Sequence, residues 1–444
     1  MVIDAFSKFK RPVPDWYLDA KLGLMVSWGA FSVPAWGEPI GELGTIEDWQ
    51  HWFKHNPYAE WYYNTIRIEG SPARQYHKEK FNDCPYDDLL DMWKAEAFQP
   101  DEWAQLFKYS GAQYIVPLSK HHDGITLWDA PGTGTRNTVH RGPKRDLIGD
   151  IAKAVRKAGI RFAVYYSGGL DWEVTNSLPA ISNNNQGGDG MQRPKDAAYS
   201  MYAYKHVIDL IDKYQPDVLW NDIEWPDFAK RDGEYSLAAL FDYYYLKVPH
   251  GVVNDRWGKN THSDFETSEY QYMSENENAS AWENCRGIGL SFGYNQIESE
   301  EHSLSVAGAL RHFLDIVSRG GNFLLNVGPT ASGEIPDIQK KVLRGLGDWM
   351  AVNSEAVYGT RAIKNAQPSE TPWVRWVSKA ESIYCYIDAV GSVEFVAGTD
   401  SIDVTTAKIV GSGSIPVSRN GERISLTVPR PKVVGPTVIE WRKK

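Results

Sequence analysis

Asp222 closes the run Pro216-Asp217-Val218-Leu219-Trp220-Asn221-Asp222, with Trp220 before it and Trp225 just after. A carboxylate walled by indole rings suits attack on the anomeric carbon of a sugar. Indole faces stack on the apolar faces of a pyranose while the carboxylate supplies the nucleophile. The plainer use of an aspartate at a strand end is to cap the following helix. Trp220, Asn221 and Trp225 together favour the nucleophile. Glu224, two residues on, reads as a support or a surface group.

A glycosidase of this kind needs a second carboxyl group that keeps its proton, which burial beside aromatic rings can arrange. Two glutamates qualify: Glu269, beside Tyr270, and Glu283, beside Trp282. Composition does not choose between them, and Glu266 reads as a solvated neighbour. Glu60-Trp61 pairs an acceptor with a flat ring, as a sugar face requires, but also fits a surface carboxylate beside a core tryptophan. His121-His122-Asp123 invites a metal. Adjacent histidines cannot both point inward from a regular strand, however, and no HxH or HExxH spacing accompanies them, so hydrogen bonding to sugar hydroxyls is the better reading. Arg256, next to Trp257, suits either an ion pair with a nearby carboxylate or a substrate contact.

Positioning such groups on one face requires a scaffold. From about residue 20 to 355 short apolar runs alternate with amphipathic stretches. The strands are expected at Leu22–Val26, Tyr114–Leu118, Phe162–Tyr166, Val218–Asp222, Gly251–Asp255 and Phe323–Pro329. The helices are expected near 101–107, behind Lys144-Arg145-Asp146, and at Tyr202–Tyr214, Leu237–Tyr245 and His302–Ser318. The stretch Trp282–Tyr294 is Gly-rich and stays unassigned, and Asn183–Gly190 reads as a polar loop. Strand–helix alternation of this length implies a parallel sheet closing into a (β/α)8-like barrel, whose chemistry collects at the C-terminal ends of the strands. No GxGxxG opens a helix after a strand, which disfavours a dinucleotide fold. Beyond Gly359 the pattern changes to short alternating strands with Gly, Asn and Pro turns, a β-sandwich. The expected division is 1–355 for the barrel and 356–444 for the sandwich.

The totals narrow the partners. With 47 Lys and Arg against 57 Asp and Glu, the chain carries a formal charge of −10, which argues against a nucleic-acid partner. No apolar run is long enough for a membrane span, and the N-terminus lacks an apolar h-region, so the expected location is cytoplasmic. A trimmed signal peptide would leave the same pattern. Three scattered cysteines supply neither a disulfide framework nor a zinc cluster. Eighteen Trp, 24 Tyr and 15 Phe are the outlier of the composition; a carbohydrate cleft uses such residues, and a large aromatic core gives the same count. Metal and organic cofactors are expected to be absent, and the chain is compatible with a homo-oligomer.

Taken together, the motifs Asn56-Pro57-Tyr58-Ala59-Glu60-Trp61-Tyr62, Lys120-His121-His122-Asp123-Gly124, Tyr165-Tyr166-Ser167-Gly168-Gly169-Leu170-Asp171-Trp172, Leu219-Trp220-Asn221-Asp222, Asn254-Asp255-Arg256-Trp257-Gly258 and Asn326-Val327-Gly328-Pro329 give a family resemblance. The chain resembles the α-L-fucosidases of glycoside hydrolase family 29 from about residue 15 to its C-terminus. The resemblance implies a barrel with a C-terminal β-sandwich and a retaining, exo-acting enzyme on fucosylated glycans or fucosides. It implies Asp222 as nucleophile and Glu60, Trp61, His121, His122, Tyr165 and Arg256 as residues holding the sugar, with Trp220 beside them. Tyr165 rather than Tyr166 follows from the spacing to Ser-Gly-Gly. Glu269 looks like the acid/base of the nearest bacterial members, and Glu283 like that of others. One departure stands out: the family usually has His-Trp-Gly after the first strand, and this chain has Ser27-Trp28-Gly29. Ser27 is shorter and cannot be cationic, which permits a glycosidase for a related L-sugar such as an α-L-galactoside; from a different class, a carbohydrate-binding protein that has lost turnover is a further alternative. A metal-dependent hydrolase using His121 and His122 is the third rival.

Overall fold

The computed structural model describes residues 5–174, 177–182, 193–231, 233–270, 281–364, 366–399 and 401–444. The N-terminal part is built on nine strands: β1 (Leu22–Val26), β2 (Tyr114–Lys120), β3 (Arg161–Phe162), β4 (Val164–Ser167), β5 (Val218–Asp222), β6 (Val252–Val253), β7 (Glu266–Glu269), β8 (Trp282–Gly287) and β9 (Asn322–Val327). They form one sheet in the order β6-β5-β4-β2-β1-β9-β8-β7, with β3 alongside β2. Every pairing is parallel. Strands β1, β2, β5, β8 and β9 are buried at every residue, which is why β1, β2, β5 and β9 read largely as apolar runs without alternation; β8, Trp-Glu-Asn-Cys-Arg-Gly, is buried without being apolar.

The wrap is a barrel with a seam. Among the described residues no ladder joins β6 to β7, and side chains bridge the gap instead. Asp264 donates its N–H to the Val253 carbonyl and accepts from the Val253 N–H, both at 2.9 Å. Asp255 accepts from the Thr267 N–H at 3.1 Å and its hydroxyl at 2.7 Å. On its other side, toward β5, β6 is shorter than the expected Gly251–Asp255. Past Val253 the Asn254 side chain takes over the pairing, accepting from the Asn221 N–H and donating to the Asn221 carbonyl.

Helices cover the outside, and four of them are started by a side chain that satisfies free N–H groups of the first turn. Asp146 caps Leu147–Lys157, Asp196 caps Ala197–Tyr214, Ser236 caps Leu237–Lys247 and Ser305 caps Val306–Ser318. The last begins at Val306 rather than His302 because Glu300–His302 forms a separate 3-10 turn. The expected strand Phe162–Tyr166 divides into β3 and β4, and the unassigned stretch after Ala281 contains β8. Asn183–Gly190 lies outside the described residues. None of the described helices is long and apolar enough to cross a membrane.

Beyond residue 360 all pairing is antiparallel. Trp373–Lys379, Ser382–Asp388, Thr437–Lys443 and Ile402–Ile409 lie side by side, and a three-stranded sheet is made of Gly391–Val396, Arg423–Val428 and Val417–Asn420. A separate apolar core that includes Trp376, Phe395, Ile439 and Trp441 lies between the sheets.

Candidate active site

The strand ends carry the polar clusters to one rim. Ser27 follows β1, His121 and His122 follow β2, Asp222 ends β5 and Glu269 ends β7. They line a single cavity of about 200 Å³, which also takes in Glu60, Trp61, Tyr165, Trp220 and Arg256. That is smaller than the roughly 300–1,000 Å³ of drug-sized sites. It suits one sugar ring.

At its centre the Arg256 guanidinium joins two carboxylates. Nη1 donates to Asp222 Oδ1 at 2.9 Å and to Glu269 Oε2 at 3.3 Å, Nη2 reaches the same Glu269 oxygen at 3.2 Å, and Nε is held by the Thr267 hydroxyl at 3.0 Å. Its plane lies over the Trp220 ring, 4.6 Å from the centroid. The second Asp222 oxygen accepts from the Tyr165 hydroxyl at 2.7 Å. Asp222 is therefore oriented from both sides and caps no helix. Immediately after it the backbone enters the left-handed region at Ile223 (φ 57) and Glu224 (φ 68), a strained course for a β-branched residue. Two contacts hold that turn. Glu224 pairs with Lys230 at 2.6 Å and Arg193 at 2.7 Å. Gly169 presses against it so closely that a Cβ there would lie 1.6 Å from the Ile223 carbonyl oxygen.

Glu269 is bound on its other oxygen by the Tyr58 hydroxyl at 3.1 Å. Burial pushes its carboxyl up, the Arg256 cation pulls it down, the Asp222 charge pushes it up again, and the net direction is up. Glu60 accepts from the Gly293 N–H at 2.8 Å and the Ser291 hydroxyl at 3.2 Å, and burial raises it to about 7. His121 and His122 lie with ring centroids 3.9 Å apart. Burial, with the Lys120 cation nearby, pushes both far below the usual imidazole value, so they are neutral. His122 Nδ1 is held by Ser167 at 2.7 Å, whereas the buried Nδ1 of His121 has no partner among the described residues. Lys120 turns away from the cavity and forms a fully buried ion pair with Asp171 at 3.1 Å, which supports the loop beneath the histidines. Among the described residues no group of three or more His, Cys, Asp and Glu side chains could hold a metal ion.

The other expected residues divide cleanly. Tyr165 faces the cavity, while Tyr166 points outward to His206 at 3.1 Å. Ser27 lines the cavity and donates to Asn326 Oδ1 at 2.6 Å. Glu283 does not line the cavity. It lies fully buried on the barrel axis, accepting from Trp220 Nε1 at 2.9 Å, from Tyr17 at 3.1 Å and from the Tyr114 hydroxyl.

Several lining residues have no counterpart among the sequence expectations: Tyr58, Cys285, Phe292 and the cluster Trp49, Trp52 and Phe53. The cluster belongs to a short helix, Trp49–Lys54, capped by Asp48. Its signal is present in the sequence, since a capping Asp precedes aromatics at i, i+3 and i+4.

Comparison with known proteins agrees with this geometry. A family model described as alpha-L-fucosidase matches residues 4–355. A solved structure of an alpha-L-fucosidase superposes with a TM-score of 0.90 at 42% identity, covering 98% of each chain. The Thermotoga maritima alpha-fucosidase in complex with fucose gives 0.86 at 41% identity, covering 97% of each. The tissue alpha-L-fucosidase of Bos taurus is 31% identical over 98% of this chain and 88% of its own length. With its family match, its relatives and its barrel all in accord, this chain belongs to the alpha-L-fucosidases, glycoside hydrolase family 29.

Proposed function

We propose that this protein is a retaining, exo-acting α-L-fucosidase in which Asp222 is the nucleophile and Glu269 the acid/base. The observation that carries the reading is the single Arg256 nitrogen shared by the two carboxylates, at 2.9 and 3.3 Å. Two carboxylates bonded to one nitrogen at these distances are compatible with the roughly 5–5.5 Å between carboxyl groups of retaining enzymes.

In the first step an Asp222 oxygen bonds to the anomeric carbon as the glycosidic C–O bond breaks, and Glu269 passes its proton to the departing oxygen. In the second step Glu269 takes a proton from water, the water oxygen bonds to the anomeric carbon, and the bond to Asp222 breaks. Arg256 and Tyr165 hold the nucleophile in line. Neutral His121 and His122, Glu60 and the Trp61 ring offer acceptors, donors and a stacking face to the sugar hydroxyls and carbons. The small volume of the cavity, about 200 Å³, favours a terminal residue over an internal one. We assign the catalytic unit to 1–355 and a β-sandwich unit to 356–444.

The test is a panel of 4-nitrophenyl glycosides assayed with and without EDTA, with the released sugar followed by NMR. The expected result is selective hydrolysis of the α-L-fucoside, unaffected by EDTA, with α-L-fucose appearing first. Preference for an α-L-galactoside, loss of activity in EDTA, or initial β-L-fucose would each overturn part of this reading.

A further inference from the structure

The lining of the cavity has two chemically different parts. One holds the carboxylates, histidines and Tyr165. The other is lined by Leu43, Trp49, Trp52 and Phe53, all from the segment that follows β1. Trp52 and Phe53 are each 3% exposed and hold up Trp49, with ring centroids 6.4 and 6.3 Å from its own. Trp49 and Leu43 remain partly exposed, so they lie at the rim, where a ligand can reach them.

This apolar wall is connected to Glu269. Trp52 packs edge-on against Tyr58 with centroids 5.5 Å apart, and the Tyr58 hydroxyl binds Glu269 Oε1 at 3.1 Å. A general acid must face the glycosidic oxygen, so what lies on its outer side is the leaving group. Among the described residues the one Lys or Arg side chain lining the cavity is Arg256, and two carboxylates occupy it. An anionic leaving group would find no counter-charge there.

We propose that Trp49, flanked by Leu43, is the binding surface for the leaving group and selects one that presents a flat, uncharged, apolar face: an aromatic ring or the carbon face of a pyranose. The inference rests on Glu269 being the acid of the proposed fucosidase. The specificity of the enzyme for what fucose is attached to would then be set at Trp49 and Leu43, on the same segment after β1 that carries Glu60 and Trp61.

The experiment compares 4-nitrophenyl α-L-fucoside, whose leaving group carries a ring, with α-L-fucosyl fluoride, whose leaving group is one atom. In Trp49→Ala the ratio of kcat/KM between these substrates should fall about tenfold relative to the parent enzyme, the scale of one lost aromatic stack. Leu43→Ala removes less packing and should lower the same ratio by a few-fold, which keeps the test valid if Trp49→Ala fails to fold. A ratio unchanged in both variants, or an equal loss on both substrates, would overturn the proposal. Failure of the parent enzyme to use fluoride would instead overturn the fucosidase reading beneath it.

Discussion

Glu283→Gln separates a buried structural carboxyl from a catalytic one, and its effect can be worked out from the geometry. Burial pushes the Glu283 carboxyl up to about 7, against the pull of hydrogen bonds from Tyr114, Trp220 and Tyr17. The same side chain titrates near 4.5 when unburied. Between those values the native state keeps a proton that the unfolded state has released. Stability therefore falls as the pH rises through this window, and the full cost is present above about 7. A shift of this size corresponds to about 3 kcal/mol. Glutamine imitates the protonated acid, with its carbonyl toward Trp220 Nε1 and its amide toward the tyrosine oxygens. The variant should match the parent within about 1 kcal/mol at pH 5 and exceed it by about 3 kcal/mol at pH 8. Urea unfolding at several pH values with a common slope reads this directly. Because Glu283 supports Trp220 from below the cavity, kcat/KM for 4-nitrophenyl and methyl α-L-fucoside should change by one common factor. A stability difference independent of pH, or a loss confined to the methyl fucoside, would refute the reasoning.

Glu269→Ala should show the opposite kinetics: methyl α-L-fucoside suffers far more than 4-nitrophenyl α-L-fucoside, because only the poor leaving group needs the proton. Ser27→His restores a donor at the cavity wall and should raise fucoside kcat/KM several-fold, the scale of one neutral hydrogen bond; kinetics unchanged on both fucoside and α-L-galactoside would place residue 27 out of reach of the sugar. Asp171→Asn leaves the Lys120 cation fully buried without its counter-charge and should cost about 3–5 kcal/mol in chemical denaturation, whereas an unchanged midpoint would show the pair to be dispensable.

The parts of the site legible in the sequence are those where a fully buried strand ends in a polar cluster, as at Val218–Asp222 and Tyr114–Lys120. There the apolar run marks the strand and its last residue marks the rim. The two glutamates could not be ranked because rank depends on height along the barrel axis. The register pairs Thr267 with Glu283 and Glu269 with Cys285, so Glu283 sits two residues below Glu269. With β8 hidden in a Gly-rich stretch, neither end of that strand could be read. Asn254 shows a second limit, since its side chain replaces backbone pairing with β5 and shortens β6 in a way that periodicity does not register. The aromatic wall at Trp49 comes from a helix of only 6 residues, too short for a periodic pattern to stand out without its Asp48 cap.

The central claim is that Asp222 forms a covalent bond to fucose, and the most direct measurement is azide rescue of Asp222→Ala. The side chain is small, and the pairing of β5 with its neighbours is made by the backbone. The variant should therefore keep its fold while turnover falls by several orders of magnitude. Azide occupying the vacated space should restore part of the rate on 4-nitrophenyl α-L-fucoside and yield β-L-fucosyl azide, the product of a single displacement. Turnover close to that of the parent enzyme, or an azide product of α configuration, would contradict Asp222 as the nucleophile.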